Sequence, residues 1–253
     1  MTATIERGSA TASVNPPADT AKTAKPRRRS GFLGSSNGKK AVMAITGAVM
    51  VLFLVGHMAG NLKSFAGAES FNTYAAFLRT MGEPMLPYRV LLTVIEVVMV
   101  VAVVLHMWSA ISLARRAGKA RPVKYAARRK SRANGYAVHT MRYGGVIIVL
   151  FLIYHLLDLT FGAVNPAGGG STPYDRLVEG FAPSRWWITL FYVLALVMVG
   201  LHLRHGLWSA FQTLGLASRR SYRPLKAVAA GLSALLVIGF LVVPVAVAIG
   251  VIK

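Results

Sequence analysis

An all-α membrane bundle of five transmembrane helices is the fold class this sequence predicts, and three observations predict it. Five apolar runs take up most of the 253 residues, in a chain that is 55% hydrophobic with a mean hydropathy of +0.53. No run alternates apolar and polar residues with period two, so strands are set aside. Lys and Arg crowd every second connecting segment, as expected of a polytopic chain.

Residues 1–38 are rich in Ala, Thr, Ser, Lys and Arg, close on Arg27-Arg28-Arg29, and read as a disordered basic tail. They are not read as a secretory signal, because the first apolar run is long and lacks a small-residue cleavage site. The membrane domain then covers 39–253. Its spans are expected at about 41–61, 90–113, 143–161, 186–208 and 227–252, each near or above the ~20 residues that cross hydrocarbon. The fourth opens on the aromatic pair Trp186 and Trp187, and the fifth is almost wholly aliphatic.

The basic segments are the tail, Arg115–Arg132, and Arg219, Arg220, Arg223 and Lys226. The alternate segments hold Glu69, Glu83, Asp175 and Glu179. The positive-inside rule then places the N-terminus in the cytoplasm and the C-terminus outside, a parity that five spans satisfy. In a soluble protein a net charge of +21 would suggest nucleic acid. Here the charge sits in connecting segments with no aromatic-interleaved groove, which suits topology, anionic lipid or a soluble partner instead.

Cysteine is absent. That excludes cysteine-ligated iron–sulfur clusters, covalently attached c-type haem and disulfides within the chain. Any metal must be held by other side chains, and four of the spans carry a histidine. At ~1.5 Å per residue, His57 and His155 lie about 24 and 18 Å up outward-going helices, in the outer half. His106 and His202 each lie 16 residues into inward-going helices, in the inner half. Two stacked pairs on four helices are what two bis-histidine b-type haems need, one imidazole on each face of an iron. The alternative for any one of them is a hydrogen bond to a neighbouring helix. Gly56 and Gly60 beside His57, and Gly200 and Gly206 about His202, offer room for a macrocycle or for close helix packing. His205, one turn from His202, is a candidate for a propionate, a quinone or solvent, and Arg204 for a propionate or for snorkelling. Asp158, one turn beyond His155, is expected near the outer interface. Glu96, inside the second span, is a candidate for quinone or proton chemistry or a hydrogen-bonded structural carboxyl. His139 is expected at the interface before the third span.

At this point the chain resembles the cytochrome b subunit of succinate dehydrogenases and fumarate reductases, of the single-anchor, five-helix, two-haem (cytochrome b558) type. The residues that carry the resemblance are Gly56-His57-Met58-Ala59-Gly60-Asn61-Leu62 with Phe71-Asn72-Thr73-Tyr74, and Leu105-His106 with Lys119 to Tyr125. They continue through His155-Leu156-Leu157-Asp158 and His202 to Gly215. The resemblance covers about Gly31 to the last helix. It implies haem ligation by His57 and His155 (outer haem) and by His106 and His202 (inner haem), with His202 favoured over His205. It also implies flavoprotein and iron–sulfur subunits on the cytoplasmic face of a bacterial plasma membrane. The subunit would serve respiratory complex II and the tricarboxylic acid cycle, pass electrons to menaquinone and have no succinate-oxidising site of its own. A higher oligomer is compatible with this. Some fumarate-reducing relatives carry a glutamate where Gly200 stands, and Glu69 and Glu83 match their outward carboxylates poorly, so the quinone site and proton path stay open. Two other functions compete: a di-haem subunit of another quinone-linked dehydrogenase, such as formate dehydrogenase or hydrogenase, and a proton-coupled transporter using Glu96, Arg204 and the histidines. Five spans without inverted repeats argue against the transporter.

Overall fold

The computed structural model describes residues 31–120 and 134–253, the side chains of 134–140 excepted. Residues 1–30 of the expected tail, most of the basic segment 115–132 and the side chain of His139 lie outside the described residues. Among those described there are seven α-helices and no strand: α1 (Ser36–Leu62), α2 (Gly67–Thr80), α3 (Val90–Lys119), α4 (Asn134–His155), α5 (Pro173–Gly180), α6 (Trp186–Thr213) and α7 (Tyr222–Ala248). The five long ones, α1, α3, α4, α6 and α7, are apolar enough to cross a bilayer. The fold class is the expected all-α membrane bundle.

Each long helix outruns its apolar stretch at the end where Lys and Arg gather. α3 continues to Lys119, α6 to Thr213, and α7 starts at Tyr222. Hydropathy marks where hydrocarbon ends, whereas the helix goes on, because Arg and Lys are good helix formers whose stems lie along the apolar surface. α1 likewise starts at Ser36, ahead of its apolar stretch. Ser35 Oγ caps it by accepting from the Gly38 amide at 2.9 Å.

The start of α1 is tied to the end of α3. The Lys39 ammonium bonds the Ser112 hydroxyl and lies 4.9 Å from the centroid of the Trp108 ring. Arg116 donates to the Gly34 carbonyl at 2.6 Å. α1 also packs on α6 and α7, and α6 on α4 and α7. Lipid tails are as apolar as leucine, so helices associate in lipid through close packing and hydrogen bonds. Both are present between α6 and α7. A Cβ on Gly200 would stand 2.5 Å from Val237 Cγ2, and the Ser233 hydroxyl donates to the Gly200 carbonyl at 2.5 Å. Outward-facing Val100, Leu150, Leu194 and Ile238 are exposed, as lipid contacts require.

The bundle has two unlike ends. One carries the basic residues and is called the basic end. The other is closed by α2, α5 and residues 156–172, and is called the capped end. Two short helices there were not anticipated by the apolar pattern. α5 is nucleated by a capping box between Thr172 and Asp175 with Pro173 in its first turn. It buries Tyr174 and Leu177 in a cluster with Phe181, Tyr192, Val243, Ala246, Val247 and Ile252. The Tyr174 hydroxyl donates to the Lys253 carbonyl at 3.0 Å, and its amide to Asn72 Oδ1 at 3.1 Å. The cap is therefore stitched to both α2 and the C-terminus.

Gly200→Leu drives a side chain into Val237 and is expected to cost about 1–3 kcal/mol. A lowered thermal midpoint in detergent, partly restored by adding Val237→Ala, checks this.

Candidate functional site

Four histidines from four different spans meet in two pairs. His57 of α1 faces His155 of α4 with ring centroids 5.9 Å apart, and His106 of α3 faces His202 of α6 at 6.2 Å. All four are half-buried. α1 gives the separation of the pairs. Thr46 Oγ1 lies 3.3 Å from His106 Nδ1, and a Cβ on Gly47 would stand 3.4 Å from His106 Cε1. His57 follows Thr46 by eleven residues, three turns along the same face, so the two levels are about 16 Å apart. The sequence reading did not single out Thr46 or Gly47. The 11-residue spacing from His57 was the signal that could have found Thr46.

The two pairs sit in different surroundings. At the His57–His155 level Phe53 stacks on His57 at 5.4 Å, Phe240 lies 5.7 Å from it, and Phe151 and Tyr192 lie 5.7 and 6.1 Å from His155. A single π-helical turn, Leu156–Thr160, follows His155. It carries Asp158 into the protein, completely buried, whereas the sequence placed it near the interface. The reason is a set of matched donors. Asn165 Nδ2 donates to Asp158 Oδ1 at 2.9 Å and the Tyr192 hydroxyl donates to Oδ2 at 3.1 Å, while Asn165 also reaches the Arg176 carbonyl. Tyr192 thus touches both Asp158 and His155: its hydroxyl bonds Asp158 and its ring centroid lies 6.1 Å from that of His155.

The other candidate residues stand apart from the pairs. Glu96 is half-exposed and ion-paired to Arg89 at 3.2 Å, toward the capped end. Glu69 is exposed on α2 and lines a shallow cavity of about 760 Å³ with Lys63, Ser70, Thr73, Tyr74 and Phe77. Arg204 is exposed and His205 half-buried, one turn along α6 from His202. Two of the four glycines weighed for room serve packing: Gly200 against Val237 and Gly60 against the Tyr74 ring. Gly56 and Gly206 have nothing within 4 Å of where a Cβ would stand, so space is left beside His57 and His202.

The donor set suits haem iron. A metal–imidazole bond is about 2 Å, so two imidazoles on opposite faces of one iron hold their ring centroids about 6 Å apart, the spacing of both pairs. Each pair also contains a buried Nδ1, on His155 and on His202, with no hydrogen-bond partner. Among the described residues no three His, Asp or Glu side chains converge as a metal-ligand group. Two opposed imidazoles are therefore the ligation on offer at each level.

Residues 118–243, just under half of the chain, match the family model of the succinate dehydrogenase/fumarate reductase transmembrane subunit. The match supports that family for this chain. The matched stretch contains α6 and its His202, and also His155 of α4, so one member of each facing pair lies within it. Transmembrane subunits of this family anchor the other subunits of succinate dehydrogenase or fumarate reductase at the membrane, which agrees with the five spans. No curated protein and no solved structure was found to match.

Tyr192→Phe removes one of the two side-chain donors to the buried Asp158 and is expected to cost about 1–3 kcal/mol. A thermal melt of the purified protein reads that loss, and an unchanged midpoint would show that the Asn165 contact suffices.

Proposed function

We propose that this chain is the haem-binding anchor subunit of a succinate:quinone oxidoreductase. It would pass electrons from a cytoplasmic iron–sulfur subunit through two bis-histidine b haems to menaquinone. The observation that carries this reading is the meeting of four histidines in two facing pairs on four spans, with ring centroids 5.9 and 6.2 Å apart. His57 and His155 would hold one haem, and His106 and His202 the other. When bound, the haems supply one-electron transfer that the side chains cannot.

The remaining residues tune and shield those ligands. Thr46 fixes the His106 ring through its Nδ1, the role that outer hydrogen bonds commonly play at metal-bound histidines. Phe53 and Phe240 screen His57 from water. The basic end faces the cytoplasm by the positive-inside rule, in a bacterial plasma membrane, with the C-terminus outside. There it receives the iron–sulfur subunit, with the flavoprotein beyond it. The cavity on α2, with Glu69 and aromatic Tyr74 and Phe77, is the candidate for the quinone headgroup, since it combines polar groups with apolar walls at the His57 end of the bundle. Glu96, neutralised by Arg89, is assigned to structure rather than to proton movement.

The reading predicts a reduced-minus-oxidised b-type spectrum with about two haems per chain. His57→Ala and His155→Ala should each remove the same half of that haem, and His106→Ala and His202→Ala the other half, by pyridine haemochrome assay. Purified chain without haem absorbance would defeat the proposal. Co-purification with a formate dehydrogenase or hydrogenase, rather than with a succinate-oxidising flavoprotein, would redirect it to another dehydrogenase.

A further inference from the structure

We infer that the turn between α6 and α7 is a binding site for the phosphate of an anionic phospholipid headgroup. A cavity of about 380 Å³ opens there, lined by Gln212, Ser218, Arg219, Arg220, Tyr222 and Arg223. Three arginines, a serine, a glutamine and a tyrosine line one space, and no carboxylate is among the lining residues. Guanidiniums bind phosphate oxygens in bidentate pairs, so this donor set is suited to a phosphate. The first turn of α7 supplies Tyr222 and Arg223, which adds the positive end of that helix.

Among the described residues no carboxylate lies at this end of the bundle. All six described carboxylates, Glu69, Glu83, Glu96, Asp158, Asp175 and Glu179, lie toward the capped end, and from Gly180 onward the sequence contains no Asp or Glu. The turn itself is preorganised. Gly215 takes a positive φ of 76°, the Ser221 hydroxyl donates to the Leu216 carbonyl at 2.8 Å, and the Ser218 amide donates to Ser221 Oγ at 2.7 Å.

The surroundings identify lipid as the source of the phosphate. Trp208 and Tyr222 pack edge to face at 4.8 Å, with the Lys226 ammonium over both rings and donating to the Tyr222 hydroxyl at 2.7 Å. Such aromatic and basic side chains mark the headgroup level of a bilayer. Leu214 and Leu216 are half-exposed on the same turn, where an acyl chain would run. A site at that depth meets a phospholipid at far higher local concentration than a soluble phosphate.

Native mass spectrometry of the full chain released from nanodiscs of mixed phosphatidylglycerol and phosphatidylcholine tests this. Selective retention of phosphatidylglycerol is expected, falling about tenfold or more in the triple variant Arg219→Gln, Arg220→Gln, Arg223→Gln, since each surface charge contributes to anionic-lipid affinity. The triple Lys variant keeps the charge and should keep most of the retention. Far-UV circular dichroism confirms that both variants hold their helices, and it does not depend on haem. Equal retention by wild type and the Gln variant would overturn the site. Competition by inorganic phosphate at millimolar concentration would overturn the lipid as its ligand. Loss of an iron–sulfur partner, with lipid retention unchanged, would reassign the arginines to protein docking.

Discussion

A polar side chain in hydrocarbon must find a partner or remain a cost of about 2–3 kcal/mol, and the bundle is arranged around that constraint. Four spans carry histidines inside the apolar layer, and the packing sets one from each span into two facing pairs, His57 with His155 and His106 with His202. α1 is the shared wall. Its one face presents Thr46 to His106 at one level and His57 to His155 three turns away. The order of helix neighbours, α1 beside α3, α6 and α7, and α6 beside α4, is what allows two pairs from four helices.

The two levels are stabilised by different means. At the capped end Asp158, Asn165 and Tyr192 form a buried polar knot satisfied within the protein, and α5 adds an apolar cluster over it. A buried network of this kind is stabilising only when every member is bonded, and here the carboxylate has a donor on each oxygen. Among the described residues the His106–His202 level has no comparable cap. It depends on helix ends that are pinned by long basic side chains, Lys39 across to Ser112 and Arg116 across to Gly34. One end is held as a small globular domain is held, the other as a membrane interface is held.

Much of this was legible in the sequence, and the exceptions have a physical pattern. The spans were legible because hydropathy over about 20 residues is a strong signal, and so was the grouping of His57 with His155 and of His106 with His202, because depth follows from a constant rise per residue. Helix ends were less so, since a helix does not stop where hydrocarbon stops. Residues that work through tertiary contact were the hardest to read. Asp158 looks like an interfacial acid until Asn165 and Tyr192, seven and thirty-four positions away, are seen to enclose it. Gly200 looks like space beside His202 until Val237 fills it. Glu96 looks unpaired because Arg89 precedes the span and only the helical path brings the two together.

The distribution of charge links the topology to what each end can bind. Every described carboxylate lies on the capped side of the bundle, and three of the six meet a base or bonded donors of their own chain: Glu96 with Arg89, Asp158 with Asn165 and Tyr192, Asp175 with the Thr172 amide. At the basic end the described cations have only hydroxyls, carbonyls and aromatic rings for company, as with Lys39, Arg116 and Lys226. A carbonyl or ring partly offsets a cation, but only an anion neutralises it. Among the described residues this segregation leaves the basic end without a carboxylate of its own. At the capped end, by contrast, the buried carboxylate of Asp158 has a donor on each oxygen and Glu96 has its own Arg89.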